Sequence, residues 1–262
     1  MLTLFVAAAA ALGAVPAATD AQQVAAVEAE RVGHLLYDFD QAAWVTTDSL
    51  LAALGGPTKE GVRGWIVEND GADQIVTYYG LRGGSPYKIF VVRVRGDKIV
   101  SSARMQPGND DVMTVVERRM VSARDAVLNR KVMATAKVQL CAPGSPNTVV
   151  LPPIDPDGLI TVYILTPQAT AETLPFGGHY RFQVDARNRV VAARSFTKSC
   201  ANLTKPTTSG DGQPVALFIT HSLVAKVPVY VGIVPKLQIW TADGQQVTPV
   251  GTMPAPSANH GA

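Results

Sequence analysis

The chain has 262 residues, of which 47% are hydrophobic and 17% charged, with a formal net charge of +2. That length suits one large or two ordinary domains and a substantial core. The composition excludes a disordered polymer, a collagen-like rod and a charge-driven coiled coil, and so small a net charge gives no footprint for nucleic acid as a partner.

The first feature in chain order is the fourteen-residue apolar run LTLFVAAAAALGAV from Leu2 to Val15, followed by Pro16 and small residues. At about 1.5 Å per residue it falls short of a hydrocarbon core of about 30 Å. Small residues precede cleavage points after Ala17 and after Ala21, so residues 1–21 read as a secretory signal peptide, although no Lys or Arg precedes the run. The competing reading is a buried N-terminal helix. No later window is apolar enough to span a membrane, so no span is expected once the leader is removed.

From Asp20, a plausible N-cap, Val24, Val27, Val32, Leu35 and Leu36 recur at helical spacing. A second short helix is predicted to start at Thr46-Thr47-Asp48 and to end at Gly55-Gly56-Pro57. The period then changes to two. Val62–Glu68, Asp73–Tyr79, Lys88–Arg95 and Lys98–Arg104 read as strands of an antiparallel meander, with Asn69-Asp70-Gly71 and Gly96-Asp97 as turns. Arg93 and Arg95 fall on one face and Val92 and Val94 on the other. A long helix is predicted over 110–134, capped by Asn109, with Asp110 and Asp111 in its first turn and Val112, Val116, Met120, Ala123 and Val127 on its apolar face.

The prolines of 143–158 predict a stiff, irregular connection. Strands follow at Leu159–Leu165, His179–Val184, Val190–Phe196, Val215–His221, Val229–Ile233 and Lys236–Trp240, with turns at Asp185–Asn188 and Asp243-Gly244. The expected fold is α+β: N-terminal helices, a four-stranded antiparallel meander and a long helix, then a mostly antiparallel β unit. The expected division is a leader over 1–21, a helix-meander-helix unit over 22–136, a mostly β unit over 137–251 and a disordered tail over 252–262. The alternative is one continuous domain in which the long helix covers a sheet shared by both halves.

Cys141 and Cys200 are the only cysteines and form no Cys-x-x-Cys pair. In an exported chain they are expected to form one disulfide, which closes a long loop, so the predicted location is periplasmic or secreted.

No Gly-x-Ser-x-Gly, His-Glu-x-x-His, P-loop or Gly-x-Gly-x-x-Gly motif is present. Catalytic candidates are therefore spatial. His179 and His221 are nominated as a base or a metal pair, with Asp185 or Asp211 as the acidic partner. The plainer reading is two strand-end histidines bonded to backbone, and no third ligand presents itself, so neither a metal nor a cofactor is expected. His34 lies on the first helix and His260 in the tail. Asp155-Pro156-Asp157-Gly158 lacks the ligands of a calcium loop and reads as a turn. Arg118, Arg119, Arg124, Arg130 and Lys131 make the long helix basic, either a docking surface for a partner or a solvated face. Trp65, Tyr78, Tyr79 and Tyr87 could line a cleft but more commonly fill a core, and Tyr78 and Tyr79 must face opposite ways. Asn202-Leu203-Thr204 is a glycosylation sequon, relevant only in a eukaryotic secretory pathway.

The stretches LLYDFDQAAWVTTDSLLAAL (35–54), RGWIVENDG (63–71), NTVVLPP (147–153), VYILTPQ (162–168), PFGGHYRFQVD (175–185) and RSFTKSC (194–200) together resemble a group of uncharacterised exported proteins of Gram-negative bacteria. The resemblance implies export and a shared fold and carries over no site residue. The favoured reading is an exported, soluble, non-enzymatic binding or envelope-associated protein. The alternatives are a hydrolase of an envelope or extracellular substrate with His179 or His221 as base, and a protein-interaction module using the basic helix 110–134. A binding module predicts an apolar cleft with few titratable groups, and an interaction module an exposed apolar patch.

Overall fold

The structure, a computed structural model, describes residues 20–56, 61–108, 110–155, 157–170, 173–175, 177–197, 199–200, 202–204, 238–242 and 247–252. The predicted leader, apart from its last two residues, lies outside them, as do the strands predicted at 215–221 and 229–233, the turn at 243–244 and all but the first residue of the tail. Residues 20–54 form one helix, α1 (Asp20–Leu54), where two were predicted. The reason lies in the threonines that suggested a new start. Thr46 Oγ1 donates back to Ala42 O at 2.8 Å and Thr47 Oγ1 to Ala43 O at 2.8 Å, so both serve the preceding turn. The helix ends where the glycines demand it. Gly55 has φ 65°, and Gly56 N–H donates to Leu51 O at 3.2 Å, the closing bond of a Schellman cap.

The first sheet is the predicted meander: β1 (Gly64–Asp70), β2 (Asp73–Arg82), β3 (Ser85–Arg95) and β4 (Lys98–Arg104), antiparallel and in that spatial order. The middle pair runs beyond the expected ends at Tyr79 and Lys88. It continues to Arg82 opposite Ser85, around Gly83 and Gly84, whose φ values of 59° and 84° suit a two-residue turn that matches strand twist. Alternation sorts the side chains: Val76, Tyr78, Phe90, Val92 and Val94 face one way, while Ile66 and Tyr79 face the other.

The predicted long helix is two helices, α2 (Val115–Val127) and α3 (Arg130–Thr135). A capping box decides the start. Thr114 Oγ1 accepts from Glu117 N at 3.1 Å, and Glu117 Oε2 accepts from Thr114 N at 2.6 Å. Asp111 therefore precedes the helix, Val112 is left 59% exposed, and Asn109 lies outside the described residues. Met120, Ala123 and Val127 are buried as expected. Asn129 breaks the run by capping α3, accepting from Lys131 N at 2.9 Å.

Strands β5 (Asn147–Leu151), β6 (Ile160–Leu165), β7 (Thr173–Pro175), β8 (Tyr180–Val184), β9 (Val190–Ser195), β10 (Asn202–Thr204), β11 (Gln238–Ala242) and β12 (Val247–Thr252) follow. β5 corrects the expectation of an irregular connection. Its prolines, Pro146 and Pro152, only border the strand, where no ladder bond is lost, and Val149 and Val150 are both buried, so no alternation marked it. The second sheet is antiparallel in the order β5-β6-β8-β9, while β7 pairs with β10 and β11 with β12.

The protein is thus α+β with two antiparallel four-stranded sheets. β1 runs beside β5, and each long helix touches strands of both sheets. α1 contributes Leu36, Phe39 and Leu50 to a cluster that also takes Val92, Val149, Tyr163 and Leu165. α2 contributes Met120, Ala123 and Val127 to a second cluster with Ile66, Tyr79, Val162 and Phe182. Cys141 and Cys200 form the expected disulfide, with Cα atoms 5.2 Å apart. Among the described residues no helix is long and apolar enough to cross a membrane.

Three stability outcomes follow from these contacts. In urea denaturation Thr114→Ala should cost about 1 kcal/mol and Met120→Ala about 2–5 kcal/mol; a neutral Thr114→Ala would move the helix start back toward Asn109. Replacing both cysteines by Ser opens a loop of 59 residues' separation and should cost about 4 kcal/mol through the unfolded chain, and an unchanged urea midpoint would contradict that.

Candidate functional site

His179 sits just before β8 and is buried. Its Nδ1 accepts from the backbone N–H of Thr166 at 3.2 Å, which puts the ring proton on Nε2, 2.9 Å from Pro175 O. Both nitrogens are thus committed to backbone. A general base needs a lone pair aimed at substrate, and this imidazole has none to offer. Burial pushes its pKa down, against the upward pull of the Pro175 carbonyl. Around it Thr166 Oγ1 donates to Gly177 O at 2.7 Å and accepts from Cys141 N at 3.2 Å, and Asn202 Nδ2 donates to Cys141 O at 2.8 Å. A Cβ on Gly177 would stand 2.9 Å from Cys141 Sγ, so only glycine fits against the disulfide.

Asp185 is not brought to this histidine. Asp185 follows the far end of β8, six residues on, about 20 Å along an extended strand. Its carboxylate accepts from Arg187 N and Arg189 N, both at 2.9 Å, and from the Arg189 guanidinium, so it shapes the hairpin turn. His221 and Asp211 lie outside the described residues. Asp155 O accepts from Gly158 N at 2.7 Å, the predicted turn. Among the described residues no three His, Cys, Asp or Glu side chains gather as a metal site.

The basic helix is stitched to the body. Arg118 donates to Met113 O, Arg119 to Gly158 O at 2.8 Å, and Arg124 to Thr148 Oγ1 at 2.9 Å and to Tyr79 Oη at 3.2 Å. Arg130 and Lys131 are on α3 and exposed. Tyr78 faces α1 and Tyr79 faces α2, while Trp65 packs half-buried against the first cluster.

A cleft of about 340 Å³ opens where β2, β3 and the chain leaving β4 meet. It is lined by Arg82, Tyr87, Lys88, Ile89, Arg104, Met105, Gln106, Pro107 and Asp111. Its construction begins at Gly80, paired with Tyr87 across β2 and β3. A Cβ there would lie 2.9 Å from Ile89 Cδ1 and 3.0 Å from the Tyr87 ring, so the bare glycine lets the ring lie across the strand. The Arg82 guanidinium then rests 4.1 Å from the Tyr87 ring centroid, and its Nη1 donates to Asp111 Oδ2 at 2.9 Å. Asp111 Oδ1 accepts from Gly108 N at 3.0 Å, and Asp111 O accepts from Lys88 N at 2.8 Å. Arg82 holds the Asp111 carboxyl below the usual carboxylate range. Lys88 Nζ turns to the buried Glu117, 2.7 Å away. Behind them burial, reinforced by the Glu117 charge, raises the pKa of Glu68.

The cleft is polar, where a binding module led us to expect an apolar one. Arg82, Lys88 and Arg104 were not singled out by sequence, and Asp111 was read as a helix-dipole residue. Gly83-Gly84 was the available signal, since a two-glycine turn sets Arg82 opposite Ser85 and brings Tyr87 back over Gly80. A different buried acid also escaped notice. Asp40 on α1 is buried, and that burial raises its pKa to about 6. No protein-family model matches the chain, and no curated protein or solved structure does either.

His179 and Asp40 should act on stability in opposite senses. The unfolded imidazole takes a proton near about 6.5 while the folded one resists it, so its contribution is complete above that pH and falls as the pH drops. The folded Asp40 keeps its proton up to about 6, well above the unfolded carboxyl, so its ionisation weakens the fold as the pH rises through that range. Asp40→Asn should therefore raise stability at pH 7.5, by up to about 3 kcal/mol, and steepen the loss between pH 6.5 and 5 that His179→Gln abolishes. Urea midpoints at pH 7.5, 6.5 and 5 check both signs.

Proposed function

We propose that this chain works outside the cytoplasm, in the envelope space or beyond it, as a non-enzymatic binding protein that takes a small ligand in the cleft between β2, β3 and the segment after β4. The observation that carries this reading is the preset geometry of Arg82, fixed on one face by Tyr87 and at one edge by Asp111 while its side chain stays 58% exposed. A cleft of about 340 Å³ stands at the low end of ligand pockets, which suits a metabolite-sized group. The disulfide supports a compartment in which thiols oxidise, and the resemblance of the stretches from 35 to 200 to exported proteins points the same way. His179 lends a hydrolase no support because its nitrogens are engaged, and the arginines of α2 are engaged in the fold rather than offered to a partner.

A thermal-shift panel of envelope sugars, amino acids and simple anions on the oxidised protein tests it. At least one compound should raise the melting temperature of the unaltered chain, by about 2–4 °C per kcal/mol of linkage, and leave unmoved a Gln106→Trp variant whose indole fills the cleft. Equal shifts in both proteins, or none from any compound, would reject the assignment.

A further inference from the structure

We infer that β4 is a self-association edge, where two copies of this chain pair antiparallel about a two-fold axis and join their four-stranded meanders into one eight-stranded sheet. This does not depend on the cleft's holding a ligand. β4 is the last strand of its sheet, and among the described residues only β3 pairs with it. All seven of its residues are exposed, including Ile99 at 43% and Val100 at 51%, so α1, which touches β4, leaves its edge open. A strand edge presents unpaired N–H and C=O groups, and proteins guard it with proline, short length or charge within the strand. β4 has no proline, and its charges, Lys98 and Arg104, stand only at the ends of the uncharged run Ile-Val-Ser-Ser-Ala.

The occupant follows from the register. Met105 N–H donates to Ile89 O at 2.9 Å, and bonding residues alternate along an antiparallel strand. On β3 the residues bonded toward β4 are therefore Ile89, Val91, Arg93 and Arg95, and the β4 residues opposite the last three are Ala103, Ser101 and Lys98. Ser102, Arg104 and Ile99 turn their main-chain groups outward, and Val100 is the extra residue of a bulge. The same pairing puts Ile99 and Ser102 on the face of Val92 and Val94, and Lys98 and Ala103 on the face of Val91 and Arg95. A two-fold axis midway between Val100 and Ser101 sets Ile99 against the second copy's Ser102, both outward and on one face. It sets Lys98 against the second copy's Ala103, again on one face. A shift of one residue either way puts Ile99 against Ala103 or Ser101, whose groups are turned to β3 and whose side chains lie on the other face. The first of those shifts also sets Lys98 against Arg104, a like-charge pair, which the matched register avoids. The matched register brings acidic Asp97, just before the strand, to the basic end of the second copy's β4. A bulge that would spoil an edge for a regular strand is thus in phase with a second bulge.

Sedimentation velocity of the oxidised full chain, from micromolar to millimolar concentration, tests this. Seven residues a side, against the roughly 20–30 of a standard interface, make a weak dimer, so monomer and dimer should exchange within that range. Ala103→Glu, set against the second copy's Lys98, should tighten the dimer by about fivefold, and Ala103→Lys should loosen it by a like factor, because the two-fold uses the pair twice. Both effects should fade in high salt. Ser102→Pro removes an outward N–H and no bond to β3, so it should leave a monomer at every concentration. An unaltered chain that stays monomeric throughout overturns the inference, as does a dimer that Ser102→Pro leaves intact or that the two Ala103 substitutions affect alike. Oligomers that lengthen with concentration overturn it too, since pairing of β4 with the open edge of β9 is heterologous and does not close.

Discussion

Two consecutive tyrosines on β2 hold the architecture together, because a strand must send neighbouring side chains to opposite faces. Tyr78 Oη donates to Ala43 O at 2.9 Å and lies 2.8 Å from Thr46 Oγ1, which anchors α1. Tyr79 Oη accepts from Arg124 at 3.2 Å, which anchors α2. Both rings are buried, so each polar tip needs its partner, and each partner sits on a different helix. The sheet is thereby clamped between two helices that also reach across to the second sheet. A bulge at this same point shifts the pairing: Tyr78 faces Phe90 while Tyr79 faces Lys88, which leaves Ile89 extra. That extra residue sends Lys88 toward Glu117 and turns Tyr87 over Gly80, so the clamp and the cleft share one irregularity.

The cleft follows from that arrangement rather than from a motif. Arg82 is held by a ring on β3 and a carboxylate on the segment before α2, groups 5 and 29 positions away in the chain. The capping box at Thr114 and Glu117 matters here because it stops α2 short of Asp111 and frees that carboxylate to meet Arg82. Had the helix begun at Asn109, Asp111 would have served the helix dipole instead. Glu117 does two things at once, closing the capping box with one oxygen and neutralising Lys88 with the other.

His179 beside the disulfide and Asp40 on α1 are both buried titratable groups, and burial moves their pKa values in opposite directions. His179 is buried with a donor and an acceptor matched, so it acts as a strut between the start of β8, the residue after β6 and the end of β7. Asp40 is buried on the long helix, and burial disfavours its charged form, so its ionisation weakens the fold at neutral pH. Neither stands in the cleft, whose charged lining residues are Arg82, Lys88, Arg104 and Asp111.

The chain's local features were legible from residues alone. The meander, its two outer turns, the opposite facing of Tyr78 and Tyr79, the hairpin at Asp185–Asn188 and the pairing of the lone cysteines all follow from alternation, turn chemistry and counting, each of which acts over a few residues. What escaped was decided by contacts between distant segments or by competition between equal local options. Thr46 caps or back-bonds with equal ease, and burial against Tyr78 chose the second. Val149 and Val150 conceal β5 because a strand covered on both faces shows no alternation. Arg82, Tyr87 and Asp111 become a cleft only when folding joins them, since hydrogen bonds and stacking depend on distance in space and composition records none of it.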